Sequence, residues 1–213
     1  MQKLKEIPDN SVDLVVTDPP YEFHGGGLSG GGGAFGTKKR DYHAEYLKLY
    51  KDNPNISDYE RQRRRLNACR EQTDANIDQV SYGFDFAVLD ELCRVMKAIN
   101  IYVWCSKAQL PKLFNYFLNK DCFIDLITWH KTNPIPTCNG TYLNDTEYCV
   151  FARQKGVKVY GSYTTKHKYY ISKANVEDKK KYLHPTIKPL NIIENLVINS
   201  SLEGQTVLDP FMG

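Results

Sequence analysis

Long hydrophobic runs are absent from this sequence of 213 residues. A transmembrane helix needs about 18 or more consecutive apolar residues, and no stretch approaches that length. The amino terminus also lacks the basic and apolar regions that make up a secretory signal peptide. We therefore expect a soluble, cytoplasmic protein. Since its length fits one domain of ordinary size, we predict a single domain over residues 1–213 with a substantial core.

Cysteine pairs at metal-binding or redox spacing are lacking as well. The sequence has six cysteines, none of them in a C-x-x-C pair, and they are Cys69, Cys93, Cys105, Cys122, Cys138 and Cys149. Most of them lie in apolar stretches, which favours buried free thiols in a reducing compartment over disulfides. A cluster of His130, Cys138 and Cys149 would match no zinc-ligand spacing, so we predict no metal site.

The net charge is small, at +3, but it is unevenly distributed. Residues 38–70 contain ten Lys and Arg against five Asp and Glu, and residues 153–181 contain nine against two. Two basic segments on an acidic remainder suggest a polyanionic partner such as a nucleic acid, although solvated surface charge is an open alternative. Seven side chains could contact guanine edges or phosphates equally well. These nucleic-acid-binding candidates are Arg61, Arg63, Arg64, Arg65, Lys166, His167 and Lys168.

The glycine-rich stretch at 25–36 lacks the order of a phosphate-binding loop. Such a loop requires Gly-Lys-Ser/Thr, whereas this chain has Gly36-Thr37-Lys38, so we do not predict nucleotide triphosphate binding. The stretch is either a mobile loop that closes over a substrate or a plain connector. Residues 41–79 are polar and charged, with tyrosines at helical spacing. We predict a basic helical insertion or lid at about 25–80.

Elsewhere, apolar runs alternate with amphipathic segments. Strands are predicted at 12–17, 99–104, 123–129, 147–152 and 206–208, and helices at 86–96, 106–119 and 190–201. The Gln154-Lys155-Gly156 turn could pair the strand at 147–152 with 157–163 in a hairpin. Alternating strands and helices predict an α/β fold, with a mostly parallel sheet, helices on both faces and one antiparallel hairpin.

The tetrapeptide Asp18-Pro19-Pro20-Tyr21 directly follows the apolar run at 12–17. Open α/β sheets bind ligands in the crevice outside the carboxyl ends of their strands, which makes this tetrapeptide a candidate site. The prolines fix φ and lack N–H donors, so we expect a stiff turn whose carbonyls point outward. A carboxylate, carbonyl acceptors and an aromatic ring suit a flat ring with an amino group, such as a nucleobase. An ordinary proline-rich turn is the alternative.

Three further segments carry a family resemblance. They are H-P-T-I-K-P at 184–189, D-P-F-M-G at 209–213, and N-P-I-P at 133–136 followed by D-T-E-Y at 145–148. With the tetrapeptide, in this order and spacing, they resemble the DNA amino-methyltransferases that act on adenine N6 or cytosine N4. The chain looks most like the circularly permuted, β-class-like group, over most of its length outside about 25–79. The resemblance implies a Rossmann-like class I methyltransferase sheet, circularly permuted and incomplete.

The resemblance also implies roles for the matching residues. In the family, the tetrapeptide carboxylate and the first proline carbonyl hold the target amine, while the tyrosine stacks on a flipped base. The catalytic candidates are therefore Asp18, Pro19, Pro20 and Tyr21. The other motifs line the pocket of S-adenosyl-L-methionine, which is the implied cofactor. The cofactor-binding candidates are His184, Thr186, Lys188, Asp209, Phe211 and Gly213.

The implied activity is methylation of adenine N6 in double-stranded DNA, with direct transfer to a flipped base. Asp at position 18 favours adenine, because cytosine-N4 enzymes of the family more often carry Ser there. Cytosine N4 stays open, as do a non-catalytic DNA-binding remnant and methylation of RNA or of a protein glutamine. The implied origin is bacterial, phage or mobile-element.

Both ends of the sequence depart from the family pattern. The family continues past the D-P-F-x-G motif with more glycines, a helix and a strand that ends in an acidic residue. We therefore expect a fragment with an incomplete cofactor pocket and weak cofactor binding. A missing carboxyl-terminal segment, or the second copy in a homodimer, would complete the pocket.

Overall fold

The computed structural model describes residues 2–22, 83–134, 142–175 and 187–211. The predicted insertion or lid at about 25–80, with its glycine-rich stretch, lies outside these residues and stays a prediction. Within the described ranges, no helix has both the length and the apolar character that crossing a membrane requires.

The described elements follow the predicted order along the chain, with an additional strand at 169–172 that was not predicted. They are α1 Gln2–Lys5, β1 Leu14–Thr17, α2 Ala87–Val95, β2 Asn100–Cys105, α3 Leu110–Leu118, β3 Phe123–Lys131, β4 Thr146–Arg153, β5 Tyr169–Ser172, α4 Leu190–Ser200 and β6 Val207–Leu208. Helix α3 begins four residues later than predicted. Pro111 lies in its first turn, where proline is tolerated because the N–H groups there have no partner within the helix.

The six strands form one sheet in the order β5-β3-β4-β2-β1-β6. Strand β1 is parallel to β2 and β6, and β3 is parallel to β5. Strand β4 is antiparallel to both of its neighbours, β2 and β3. The prediction of a mostly parallel sheet is confirmed. The predicted pairing of β4 with residues 157–163 is wrong, because β4 lies between β2 and β3, which take up both of its edges.

Helices cover both faces of the sheet, as predicted. Because successive side chains of a strand point to opposite faces, Val15 belongs to the cluster formed with α2 and α3. Its neighbours Leu14 and Val16 pack instead with Ile192 and Leu196 of α4. All four residues of β1 are therefore buried, which explains why the strand is a continuous apolar run rather than an alternating one.

The reversed direction of β4 determines which residues lie at the edge where the other strands end. Glu147, the second residue of β4, pairs with Trp129 near the end of β3. Tyr148 pairs with Cys105, the last residue of β2. The start of β4 therefore lies beside the ends of β1, β2, β3 and β6. We call this side of the sheet the carboxyl edge.

Candidate active site at the carboxyl edge

The tetrapeptide forms the turn that leaves β1 at the carboxyl edge, and it is anchored by its own carbonyls. The Gln109 side-chain amide donates a hydrogen bond to the Pro20 carbonyl at 3.3 Å. The backbone N–H of Gly83 donates to the Tyr21 carbonyl at 3.1 Å. The expectation that both proline carbonyls point outward is therefore wrong for Pro20, whose carbonyl fixes the turn to the segment before α3.

Two acceptors of the same turn remain without a donor. No described residue donates a hydrogen bond to the Pro19 carbonyl. The Oδ1 atom of Asp18 is buried and also has no hydrogen-bond partner among the described residues. Leaving a buried carboxylate oxygen unpaired costs free energy, which points to a role in binding rather than in packing.

Lys188 forms an ion pair with the other oxygen of Asp18. Its Nζ atom lies 2.5 Å from Asp18 Oδ2, across 170 positions of sequence. The same Nζ lies 3.2 Å from Oε2 of Glu147. Because the Lys188 side chain is only 5% exposed, its ammonium is paired with carboxylates rather than hydrated.

Glu147 links Lys188 to a second lysine. Its Oε1 atom lies 2.5 Å from Lys131 Nζ, and its Oε2 atom accepts a hydrogen bond from the Tyr21 hydroxyl at 3.5 Å. Lys131, Glu147, Lys188 and Asp18 thus form a line of alternating charges, which we call the four-charge chain. It begins on β3 and ends at the turn after β1.

Aromatic rings enclose the ammonium of Lys188. Its Nζ lies 5.2 Å from the centroid of the Tyr21 ring and 5.3 Å from that of Trp104. A desolvated cation gains about 2 kcal/mol or more from such a contact. The two rings therefore fix the position of the charge as well as shielding it from water.

Burial and pairing oppose each other in the pKa values of this chain. Burial alone would raise the pKa of Glu147, but the Lys188 and Lys131 charges bring it below its ordinary value. Burial likewise disfavours the charged form of Lys188, yet the carboxylates of Asp18 and Glu147 raise its pKa. Burial, reinforced by the two nearby carboxylates, raises the pKa of the Tyr21 phenol. At neutral pH Glu147 and Lys188 are therefore ionised, and the phenol of Tyr21 is neutral.

The carboxyl-terminal loop reaches the same edge through Asp209. Its Oδ1 atom accepts hydrogen bonds from the Thr17 hydroxyl at 2.9 Å and from the Phe211 N–H at 3.0 Å. Burial raises the pKa of Asp209, the two hydrogen bonds oppose this, and the charge of Asp18 adds to it. The loop after β6 is thereby tied to the last residue of β1, directly before the tetrapeptide.

Comparison with known proteins agrees with this geometry. The family model described as DNA methylase, N6_N4_Mtase, matches residues 12–213. The chain belongs to the N6/N4 DNA methylase family. The expectation of S-adenosyl-L-methionine is confirmed at the level of the family, which uses this cofactor as its methyl donor.

The relatives of the family are longer than this chain, which matches part of their length. It is 26% identical to the type II methyltransferase M2.LlaDCHI of Lactococcus lactis subsp. cremoris, over 99% of this chain and 73% of that protein. It is also 26% identical to M.HinfI of Haemophilus influenzae, over 100% of this chain and 57% of that protein. The solved M1.HpyAVI–SAM complex has a TM-score of 0.55 at 18% identity, covering 96% of this chain and 72% of that one, a likeness of fold.

The methylase motifs converge as the sequence predicts, within the described residues. The catalytic candidates lie in the turn after β1, and three of the cofactor candidates, Lys188, Asp209 and Phe211, lie at the same edge. The other cofactor candidates, His184, Thr186 and Gly213, lie outside the described residues. The roles of all of them stay predictions.

The nucleic-acid candidates are divided in a similar way. Arg61, Arg63, Arg64 and Arg65 lie outside the described residues. His167 stands between the rings of Tyr163 and Tyr169, with 5.6 Å between centroids on each side. Lys168 forms an ion pair with Asp125 of β3, so part of its charge is already neutralised. Lys166 is exposed.

Three residues at the carboxyl edge were not among the sequence candidates: Glu147, Lys131 and Trp104. Glu147 lies in the D-T-E-Y segment, which the sequence marks as a motif but to which it assigns no role. The missing information was the direction of β4, because only an antiparallel strand brings its second residue to this edge. Nothing local in the sequence signals that Lys131 pairs with it.

Proposed function

We propose that this chain transfers a methyl group from S-adenosyl-L-methionine to the N6 amine of an adenine flipped out of double-stranded DNA. The observation that carries the proposal is a pair of acceptors in the turn after β1, Asp18 Oδ1 and the Pro19 carbonyl, to which no described residue donates a hydrogen bond. An exocyclic amine has two N–H bonds, one for each acceptor. A structural turn gives no reason to leave a buried carboxylate oxygen unpaired.

The charge at the carboxyl edge suits the proposed cofactor. Three carboxylates, Asp18, Glu147 and Asp209, stand against two ammonium groups, Lys131 and Lys188. A net negative site favours a ligand with a positively charged sulfonium and an ammonium group. Asp209 and Phe211 would hold this ligand from the loop after β6, and Lys188 would border it. When bound, the cofactor supplies an electrophilic methyl group.

The tetrapeptide would activate the amine by position and charge. The lone pair of an aromatic amine is delocalised into the ring, so the amine is a poor nucleophile. Accepting both N–H bonds at Asp18 Oδ1 and the Pro19 carbonyl favours a pyramidal nitrogen whose lone pair is available for attack. The N–C bond forms as the C–S bond breaks, and the proton shed by nitrogen passes to Asp18 Oδ1. The carboxylate stabilises the positive charge that develops meanwhile.

Flipping the base costs a few kcal/mol of lost stacking and pairing. Stacking on an aromatic side chain returns about 1–3 kcal/mol per base. Tyr21 is the ring within the turn itself, and its hydroxyl is held by Glu147. We infer that Tyr21 supports the flipped base in this way, with the rest of the cost offset by contacts to phosphates.

Nucleoside mass spectrometry tests the proposal and separates its alternatives. The full-length protein is incubated with unmethylated DNA and S-adenosyl-L-methionine, and the DNA is then digested. We expect 6-methyladenine, because Asp18 is typical of the adenine branch of the family. N4-methylcytosine would establish the cytosine alternative, while DNA binding with no methylated nucleoside would establish a non-catalytic remnant. If RNA offered in the same reaction is methylated and DNA is not, the substrate is RNA.

We further propose that the loop before β5 contacts the DNA backbone. Tyr163 is 87% exposed and meets the ring of His167 edge to face, beside the exposed Lys166. Exposed aromatic rings next to basic side chains are typical of nucleic-acid contacts. We expect Lys166→Ala to weaken DNA binding equally for all sequences and to reduce the slope of log affinity against log salt by about one.

The matched control for this surface is Lys5→Ala. Lys5 is exposed on α1, and replacing it with alanine removes the same charge as Lys166→Ala. Lys168→Ala should reduce the slope less than Lys166→Ala, because Asp125 already neutralises that lysine. Equal slopes for Lys166→Ala and Lys5→Ala, measured by fluorescence anisotropy over a salt series, would remove this loop from the interface.

A further inference from the structure

We propose that Glu147 is a positioning residue for methyl transfer, which shares the Lys188 ammonium and so preserves the negative charge of Asp18 where it faces the target amine. This inference rests on the proposed function and extends it to a residue outside the tetrapeptide. Glu147 acts through Lys188, without contact to the reacting atoms.

The geometry places Glu147 in competition with Asp18 for one cation. Lys188 Nζ lies between the two carboxylates, at 2.5 Å from Asp18 Oδ2 and 3.2 Å from Glu147 Oε2. The Lys188 side chain is nearly fully buried, so water does not take the place of either partner. The negative charge of Glu147 therefore offsets part of the positive field that Lys188 exerts at Asp18.

Glu147 is itself held in place by three elements of the fold. Strand β4 brings it to the carboxyl edge, Lys131 of β3 binds its Oε1, and the Tyr21 hydroxyl donates to its Oε2. Lys131 Nζ also lies 5.1 Å from the Trp129 ring centroid, which fixes that lysine. A carboxylate restrained on both oxygens does not follow Lys188, and so sets where the ammonium lies.

Electrostatics gives the consequence for catalysis. As the amine is methylated it becomes positive, and Asp18 stabilises that charge in proportion to its own negative field. A lysine that faced Asp18 alone would cancel most of this field at close range in a buried site. With Glu147 present, the ammonium orients Asp18 through one hydrogen bond, while the carboxylate of Glu147 offsets part of its positive field.

Several ionisable groups from neighbouring elements lie near Lys188, Asp18 or Glu147 and contribute to the electrostatics of this site. They are Tyr21 of the turn, Cys105 of β2, Lys131 of β3, Cys149 of β4 and Asp209 after β6. Burial raises the pKa of Cys105 to about 12 and places that of Cys149 well above its ordinary value, so both thiols are neutral at neutral pH.

The test compares Glu147→Gln with wild type in the full-length protein. The amide keeps the size of the side chain but removes its charge. We expect kcat to fall about ten- to a hundred-fold, the scale of a lost hydrogen bond between charged groups, with the KM for DNA unchanged. The basic limb of the pH–rate profile should shift to lower pH, because Lys188 loses one of the two carboxylates that raise its pKa. Glu147→Asp should restore part of kcat.

Glu203→Gln is the matched control, because Glu203 is exposed in the loop after α4. It should leave both kcat and the basic limb unchanged. If Glu147→Gln fails to fold in a thermal melt, Glu147→Asp replaces it, with a smaller loss of kcat expected. A Glu147 variant that folds and keeps the wild-type kcat and pH profile overturns the inference while leaving the proposed function intact.

A measurement without turnover keeps the two proposals apart. NMR titration of the Lys188 side chain should show a lower pKa in Glu147→Gln than in wild type. If wild type produces no methylated nucleoside, the proposed function falls, and this titration alone decides whether Glu147 shares the ammonium. An unchanged Lys188 pKa in the variant then overturns the inference as well.

Discussion

Replacing Asp18 with asparagine should lower kcat for methyl transfer by about a hundred- to a thousand-fold, the loss typical of removing one group that stabilises transition-state charge. The amide is nearly the same size as the carboxylate, so the turn keeps its shape. It carries no charge to stabilise the nitrogen, and its NH₂ group would face the target amine donor to donor if it replaced Oδ1. The affinity for DNA should change little, because phosphates supply most of it.

Single-turnover methylation with radiolabelled cofactor measures this change, and anisotropy measures DNA affinity in parallel. Asp121→Asn is the control, since Asp121 is exposed between α3 and β3 and adopts a φ of 54°, which asparagine also accepts. It should retain wild-type turnover. If Asp18→Asn keeps more than about a tenth of wild-type kcat, the role assigned to its carboxylate is wrong.

Removing the charge of Lys188 should destabilise the fold more than any other single loss at this edge. Lys188→Met keeps the length of the side chain but leaves Asp18 and Glu147 as neighbouring carboxylates with no shared cation. Removing one partner of a buried ion pair lowers the free energy of unfolding by about 3–5 kcal/mol. The buried position of the ammonium between the two rings makes this loss larger than that of a surface pair.

The pH dependence of this loss has a definite sign. In wild type the pKa of Glu147 lies below its ordinary value of 4.5, so its pairing stabilises the fold above that pH and is lost as the pH falls through the lowered pKa. In Lys188→Met, the burial of Glu147 is no longer opposed by the Lys188 charge, so the pKa of Glu147 rises relative to wild type. Protonation of Glu147 as the pH falls then removes its repulsion with Asp18 and lessens the instability of the variant. The difference in the free energy of unfolding between wild type and Lys188→Met should therefore be largest near neutral pH and should become smaller towards pH 4.

Urea denaturation at several pH values provides the measurement. Lys97→Met is the control, because Lys97 pairs with Asp13 at the opposite edge, where its side chain is 54% exposed. An exposed pair contributes about 0–1 kcal/mol, so this variant should remain close to wild type. Equal losses of stability in the two variants, or a difference that grows as the pH falls, would contradict the role assigned to the buried Lys188 in the four-charge chain.

Much of the fold follows from local pattern. Strand β1 is predictable because a strand buried on both faces must be apolar throughout. The helix at Leu190–Ser200 and the strand at Asn100–Cys105 lie within one residue of their predicted bounds, since apolar periodicity and the flanking proline act locally. The motif at 18–21 is likewise complete in four consecutive residues.

The sequence by itself therefore determined the α/β class, the order of most elements and the family to which the motifs belong. Tertiary structure alone decided that β4 lies between β2 and β3, and with it that Glu147 reaches the carboxyl edge. It alone brought Lys188 to Asp18 and left Oδ1 of that aspartate without a hydrogen-bond donor in the described part of the chain. Strand direction and ion pairing depend on side chains that meet across as many as 170 positions, and no periodicity within a short window encodes such contacts.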